Sequence, residues 1–134
     1  MRRLRIPANL LHQYSREALR AARMYGEEIC GLLVNDGNGV ILVPVHNAAF
    51  GGFNFDMKAH DWLIALRARG LAVRHVVGTY HSHPISAPIP SPGDISGARG
   101  RIYMLILTRR PGERRTWYIA RGRSFPVATL VRRP

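Results

Sequence analysis

The chain is poor in cysteine, in lysine and in acid. Its 134 residues include one cysteine, Cys30. A lone cysteine excludes an intramolecular disulfide and every zinc cage built from cysteine thiolates. Acidic residues number 8 against 20 basic ones, and Lys58 is the one lysine. No apolar run approaches the ~20 residues that span a bilayer. The N-terminal stretch MRRLRIPANLLHQYSREALR begins with basic residues, but Pro7, Asn9, His12 and Gln13 interrupt any secretory apolar segment. These absences predict a soluble, cytoplasmic protein, and an unpaired cysteine agrees with a reducing compartment. Internal repeats, low-complexity tracts and linkers are missing too. The length is short for a TIM barrel, which typically needs about 250 residues. It is also short for two ordinary domains, so residues 1–134 are read as one domain.

What the chain has is a globular balance, 46% hydrophobic and 21% charged. A domain of this size buries roughly two-thirds of its unfolded surface, enough for a real core. The formal net charge of +12 is carried by arginine. The arginines are dispersed, often in pairs: Arg2-Arg3, Arg109-Arg110, Arg114-Arg115, Arg132-Arg133. No dense basic tract forms, so the sequence shows no nucleic-acid patch. An arginine excess of this kind fits a nucleic-acid or an acidic protein partner, and genomic base composition alone accounts for it as well.

The apolar pattern gives the order of elements. Leu4 to Ile6 is a short strand stopped by Pro7, and Ala8 to Arg23 is a helix ended by Gly26. Ile29 to Val34 and Val40 to Val45 flank the turn signal Asn35-Asp36-Gly37-Asn38-Gly39, which is a hairpin. A loop with Gly51-Gly52, Phe50, Phe53 and Phe55 leads to a helix over Asp56 to Arg69, apolar at Met57, Trp62, Leu63, Ala65 and Leu66. Val73 to His81 alternates as a strand, and a proline-rich loop from Pro84 to Pro92 follows. A helical turn begins at Ser91. Ile102 to Leu107 is apolar throughout, as in a strand buried on both faces. Thr116 to Ala120 and Phe125 to Val131 complete the sheet around the turn Arg121-Gly122-Arg123. Helices mixed with hairpins predict an α/β fold with a mixed sheet.

The chemistry concentrates in His81-Ser82-His83-Pro84 and Ser91-Pro92-Gly93-Asp94. Two histidines at i and i+2 of a strand point to one face. With Asp94 they make three protein ligands and leave a fourth tetrahedral position for water, as in catalytic zinc sites. Nitrogen and oxygen donors without thiolate favour zinc, with other divalent ions as substitutes. Each piece also has an ordinary reading. His-x-His pairs stand at strand ends without metal, and Ser91-x-x-Asp94 with Pro92 between is a helix start. The two readings are compatible, because a capped turn would fix Ser91 and Asp94 in space.

Together with Glu28-Ile29-Cys30-Gly31-Leu32, these segments resemble the JAMM (MPN-plus) metallopeptidases. That family's pattern is an upstream glutamate, then His-x-His, seven residues, Ser, two residues and Asp. The resemblance runs from about Arg5 to Val131 and matches the order of elements. It implies a single-domain MPN (JAMM) fold: a mixed β-sheet flanked by helices, with cytidine-deaminase-like architecture. It implies Zn2+ held by His81, His83 and Asp94, and Ser91 holding the water or the oxyanion. Glu28 is then the general base, and Ser82 and Pro84 shape the strand end. Glu27 competes with Glu28. Strand neighbours face opposite sides, and the family register against Cys30 and Gly31 selects Glu28.

The substrate class the resemblance implies is the C-terminal tail of a ubiquitin-like or sulfur-carrier protein, cut by an isopeptidase of the compact prokaryotic type. The alternatives are a non-catalytic scaffold of the same fold and a basic nucleic-acid-binding protein. A cytidine-deaminase-type zinc site is excluded, because it needs two or more cysteines. Cys30 is read as a small core residue and His75 as structural. His12, His46 and His60 show no ligand spacing. Phe50, Phe53 and Phe55 either line a substrate groove or anchor their loop.

Overall fold

The computed structural model describes residues 3–25, 28–49, 55–83, 86–97, 101–108 and 113–132. Strand β1 (Arg3–Pro7) runs straight into helix α1 (Ala8–Tyr25). Leu11, Tyr14, Ser15 and Ala18 are its buried stripe, at the i, i+3, i+4, i+7 spacing of one helix face. Gly26, the expected stop, lies outside the described residues. The hairpin forms as β2 (Cys30–Asn35) and β3 (Val40–Pro44). Its turn works through side chains: Asn35 Oδ1 accepts from the Gly37 amide at 3.0 Å and Asp36 Oδ1 from the Asn38 amide at 2.8 Å.

Helix α2 spans Ala59–Arg67, shorter than the predicted Asp56 to Arg69. Asp56 is held in extended chain by Asn47 and Ala48, so the helix waits until Lys58, whose carbonyl accepts from the Asp61 and Trp62 amides. At the far end Gly70, at φ +66°, closes a Schellman turn through Leu71 N to Leu66 O and Gly70 N to Arg67 O. Leu63 does not join the apolar side as predicted; it is exposed beside Ile64.

Strand β4 is Val76–His83, and the predicted strand start at Val73 is a 3-10 turn, Val73–His75. The reason is pairing. Neighbour β2 ends its ladder on β4 at Val34↔Val76, and the next strand pairs only from Gly78, so residues 73–75 have no strand beside them among the described residues. Helix α3 (Pro92–Gly97), β5 (Ile102–Thr108), β6 (Arg114–Ala120) and β7 (Arg123–Arg132) follow.

The strands form one sheet in the order β1-β7-β6-β5-β4-β2-β3. β1 with β7 and β4 with β5 are parallel and the other pairs antiparallel, as a mixed sheet requires. The sheet curls until Cα atoms of its outer strands β1 and β3 lie within 8 Å of each other. One face packs on α1 through Leu33, Leu42, Tyr80, Leu105 and Leu107. The other carries two separate clusters. Leu32, Val34 and Val43 pack with Leu66 of α2, and Met104, Ile106, Trp117 and Ile119 pack with Ile95 of α3. Strand β5 feeds both faces, as its wholly apolar run predicts. Fully burying leucines such as Leu33 and Leu105 contributes roughly 1.5–3 kcal/mol each.

Candidate metal centre

Alternation along β4 sends Tyr80 to the α1 face and His81 and His83 to the opposite one. His81 stands beside Cys30 of β2 and Ile106 of β5, between the α2 and α3 clusters. The position is the C-terminal end of a strand with a parallel neighbour on one side and an antiparallel one on the other. Open α/β sheets bind ligands at such ends. Gly31 sets the register on the β2 side. A Cβ there would strike the Tyr80 ring and the Val43 carbonyl, so only glycine lets β2 lie under Tyr80. Extending the register from Cys30↔His81 puts Glu28 level with His83.

Three donor atoms converge on one point. His81 Nε2 lies 3.0 Å from His83 Nε2 and 3.1 Å from Asp94 Oδ2, and His83 Nε2 lies 3.2 Å from Asp94 Oδ2. A tetrahedral zinc with bonds of about 2.0–2.1 Å has ligand–ligand edges of about 3.3–3.4 Å, so the triangle fits such an ion within a few tenths of an ångström. His83 Nδ1 donates to the Ala87 carbonyl at 2.8 Å, which in the neutral ring leaves the Nε2 lone pair facing the centre. His81 is oriented differently. Among the described residues its buried Nδ1 finds no hydrogen-bond partner, and the Phe55 ring stacks on it at 4.4 Å and 22°.

Asp94 is placed by a reciprocal cap. The Asp94 amide donates to Ser91 Oγ at 3.0 Å, and the Ser91 amide donates to Asp94 Oδ2 at 2.9 Å. The predicted helix start is formed, and it is compatible with Asp94 Oδ2 facing the two histidines. Because Ser91 Oγ accepts in the cap, its hydroxyl proton remains to be donated elsewhere. The preceding loop is pinned by Trp117 Nε1, which donates to the Pro88 carbonyl at 2.9 Å.

Burial governs the charges. Glu28 is 8% exposed, and burial pushes its carboxyl up to about 7, with His83 pulling down and Asp94 pushing up. Burial also raises Asp94, but hydrogen bonds from His81 and His83 outweigh it and hold the carboxylate well below its usual range. His81 is lowered by burial against its bond to Asp94. For His83 burial is outweighed by its bonds to Asp94 and Ala87, and its pKa is raised. The Cys30 thiol, buried and close to Glu28, is pushed up to about 12 and lies 3.6 Å from the Val45 carbonyl. It is a core thiol, as the sequence predicts.

The structure thus brings His81, His83, Asp94, Ser91 and Glu28 together. Glu27, Phe50, Phe53 and Pro84 lie outside the described residues. Phe55 stacks on the His81 ring. The His75 ring accepts from the Ala72 amide at 3.0 Å, which is structural work. His12, His46 and His60 are exposed and outside the cluster. The sequence reading missed Asn47, which bonds the Glu28 carbonyl. An asparagine just past a strand reads as an ordinary turn residue, and nothing local marks its partner.

A curled mixed sheet carrying this donor triangle at a strand end, with a buried carboxyl on the same face, defines a hydrolase of the JAMM (MPN-plus) class. The chain belongs to the prokaryotic homologues of the JAB domain, whose family profile matches residues 7–120. It is 29% identical over 119 residues to the desampylase of Pyrococcus furiosus, covering 88% of this chain and 85% of that one. It is 33% identical over 84 residues to the desampylase of Haloferax volcanii, covering 58% and 60%. A solution structure from Desulfitobacterium hafniense has the same fold: TM-score 0.78, 21% identity, 98% of this chain and 94% of that one.

Proposed function

We propose that this hydrolase is a zinc-dependent isopeptidase, acting as a single domain over residues 1–134. Its substrate is an amide bond at the C-terminal tail of a ubiquitin-like or sulfur-carrier protein. The convergence of His81 Nε2, His83 Nε2 and Asp94 Oδ2 within 3.2 Å carries the reading. The two relatives named desampylase support the substrate class.

His81, His83 and Asp94 hold the metal. When bound, zinc supplies a Lewis acid that polarises the scissile carbonyl and makes water acidic enough to attack at neutral pH. Glu28 takes the proton of the attacking water and passes it to the leaving amine nitrogen as the carbon–nitrogen bond breaks. A carboxyl titrating near 7 suits both halves of that transfer. The Ser91 hydroxyl donates to the carbonyl oxygen as it gains negative charge. The proposal sets the reaction in the cytoplasm, in keeping with the unpaired Cys30. Among the described residues no helix is long and apolar enough to cross a membrane.

The test is metal content beside hydrolysis of a peptide whose C-terminal Gly-Gly is joined to a lysine side chain. Wild type holds about one zinc per chain and His83→Ala loses it. Glu28→Gln keeps zinc while its rate falls about 10²–10⁴-fold. Equal zinc in wild type and His83→Ala overturns the site.

A further inference from the structure

The peptide group that follows Glu28 is gripped on both edges by side chains. Its carbonyl, Glu28 O, accepts from Asn47 Nδ2 at 3.0 Å. Its N–H, on Ile29, donates to Ser82 Oγ at 2.9 Å. The network settles which way the Asn47 amide points. Its other end meets two amide donors, Ala49 N and Asp56 N, both at 3.0 Å, so that end is the oxygen.

Ser82 stands between the two histidines of the donor triangle and is 1% exposed. Its own amide donates to the Ile29 carbonyl at 3.0 Å. In an ordinary antiparallel ladder the Ile29 amide would bond a main-chain carbonyl in return. Here the Ser82 hydroxyl takes that place at the end of β2. Asn47 lies where the chain leaves β3, and it ties Asp56 back at the far end of that excursion. Phe55, the residue before Asp56, stacks on His81.

We propose that Asn47 and Ser82 are positioning residues that fix the Glu28 carboxyl relative to the donor triangle by clamping the Glu28–Ile29 peptide plane. A peptide group is rigid, so holding both its edges sets ψ of Glu28 and φ of Ile29 together. Ser82 ties the base to the strand of His81 and His83, and Asn47 ties it to the segment that packs on His81. One rigid plane therefore joins base and metal ligands. The proposal rests on Glu28 being the base.

Asn47→Asp separates the functions of Asn47. The carboxylate still accepts from Ala49 and Asp56, but it sets an oxygen against the Glu28 carbonyl. Ser82→Ala removes the other grip, and Ser82→Thr keeps the hydroxyl. The measurements are zinc content, steady-state kinetics on the Gly-Gly isopeptide peptide, and hydrogen exchange of the Ile29 amide.

Asn47→Asp and Ser82→Ala should each keep wild-type zinc and KM while kcat falls about 10–100-fold, the cost of a misplaced group. Ser82→Thr should restore most of the rate. The Ile29 amide should exchange about tenfold faster in Ser82→Ala. In a Glu28→Gln background neither change should lower the residual rate further. Wild-type kcat in Asn47→Asp, beside an inactive Glu28→Gln, overturns the clamp; so does a full additional loss in the Glu28→Gln background. If buried Ser82→Ala fails to fold, Asn47→Asp decides alone. If Glu28→Gln itself stays active, the base assignment fails, and Ile29 exchange then decides whether the plane is clamped.

Discussion

At the scale of single residues the centre is unevenly supported. His83 is oriented by a hydrogen bond to Ala87, whereas His81 leans on the Phe55 ring. Phe55→Ala should therefore loosen His81 and weaken zinc by about tenfold, the range for a lost supporting partner. Competition against a chelator reads this, and affinity equal to wild type refutes it. Glu28 carries a stability cost that follows from its environment. Its folded pKa of about 7 lies above the unfolded 4.5, so between those values the folded state binds the extra proton. Stability is thus lost as pH rises from 4.5 through 7, by at most about 3 kcal/mol. Metal-free Glu28→Gln lacks that slope. Its gain in Tm over metal-free wild type should be near zero at pH 4.5 and greatest above pH 7. A gain independent of pH would mean the carboxyl is not destabilised by burial.

At the scale of elements the β2–β4 pair matters most, because it sets Glu28 against the donor triangle. Gly31 opposite Tyr80 is its tightest point. Gly31→Ala should cost about 1–3 kcal/mol or more, the price of overpacking. The cost should shrink in a Tyr80→Ala background, since the ring that a Cβ at position 31 would strike is then gone. Urea unfolding of the four proteins measures the coupling, and strict additivity would show that the ring is not the obstacle. The same pair shows how far elements were legible. The hairpin was readable because turn residues and apolar alternation act locally. The β4 start was not: Val73 and His75 alternate with Arg74 as a strand should, but among the described residues no neighbouring strand reaches them. The α2 start was displaced by Asn47, nine residues before Asp56, through a contact that no helix periodicity encodes.

For the molecule as a whole the dominant quantity is charge, +12 on 134 residues. A field of that sign steers acidic partners and weakens steeply with salt. The donor triangle is buried and its geometry is fixed by the sheet. Raising ionic strength should therefore raise KM for an acidic carrier-protein conjugate and leave kcat nearly unchanged. A short peptide carrying only the scissile bond should respond little on either parameter. A flat KM for the protein conjugate would assign the arginines no part in recognition.

The sequence by itself determined the spacing of His81, His83 and Asp94, the helix cap that holds Asp94, and the order of strands along the chain. Each depends on neighbours in sequence or on strand parity, which are local. Only the tertiary structure decided what surrounds those groups. It laid Ser82, 53 positions from Ile29, against the end of β2, and drew Asn47 to the Glu28 carbonyl. It set Phe55 on His81 and buried Glu28 enough to move its carboxyl to about 7. Desolvation and long-range hydrogen bonds depend on which surfaces meet, and the residue pattern along the chain does not carry that information.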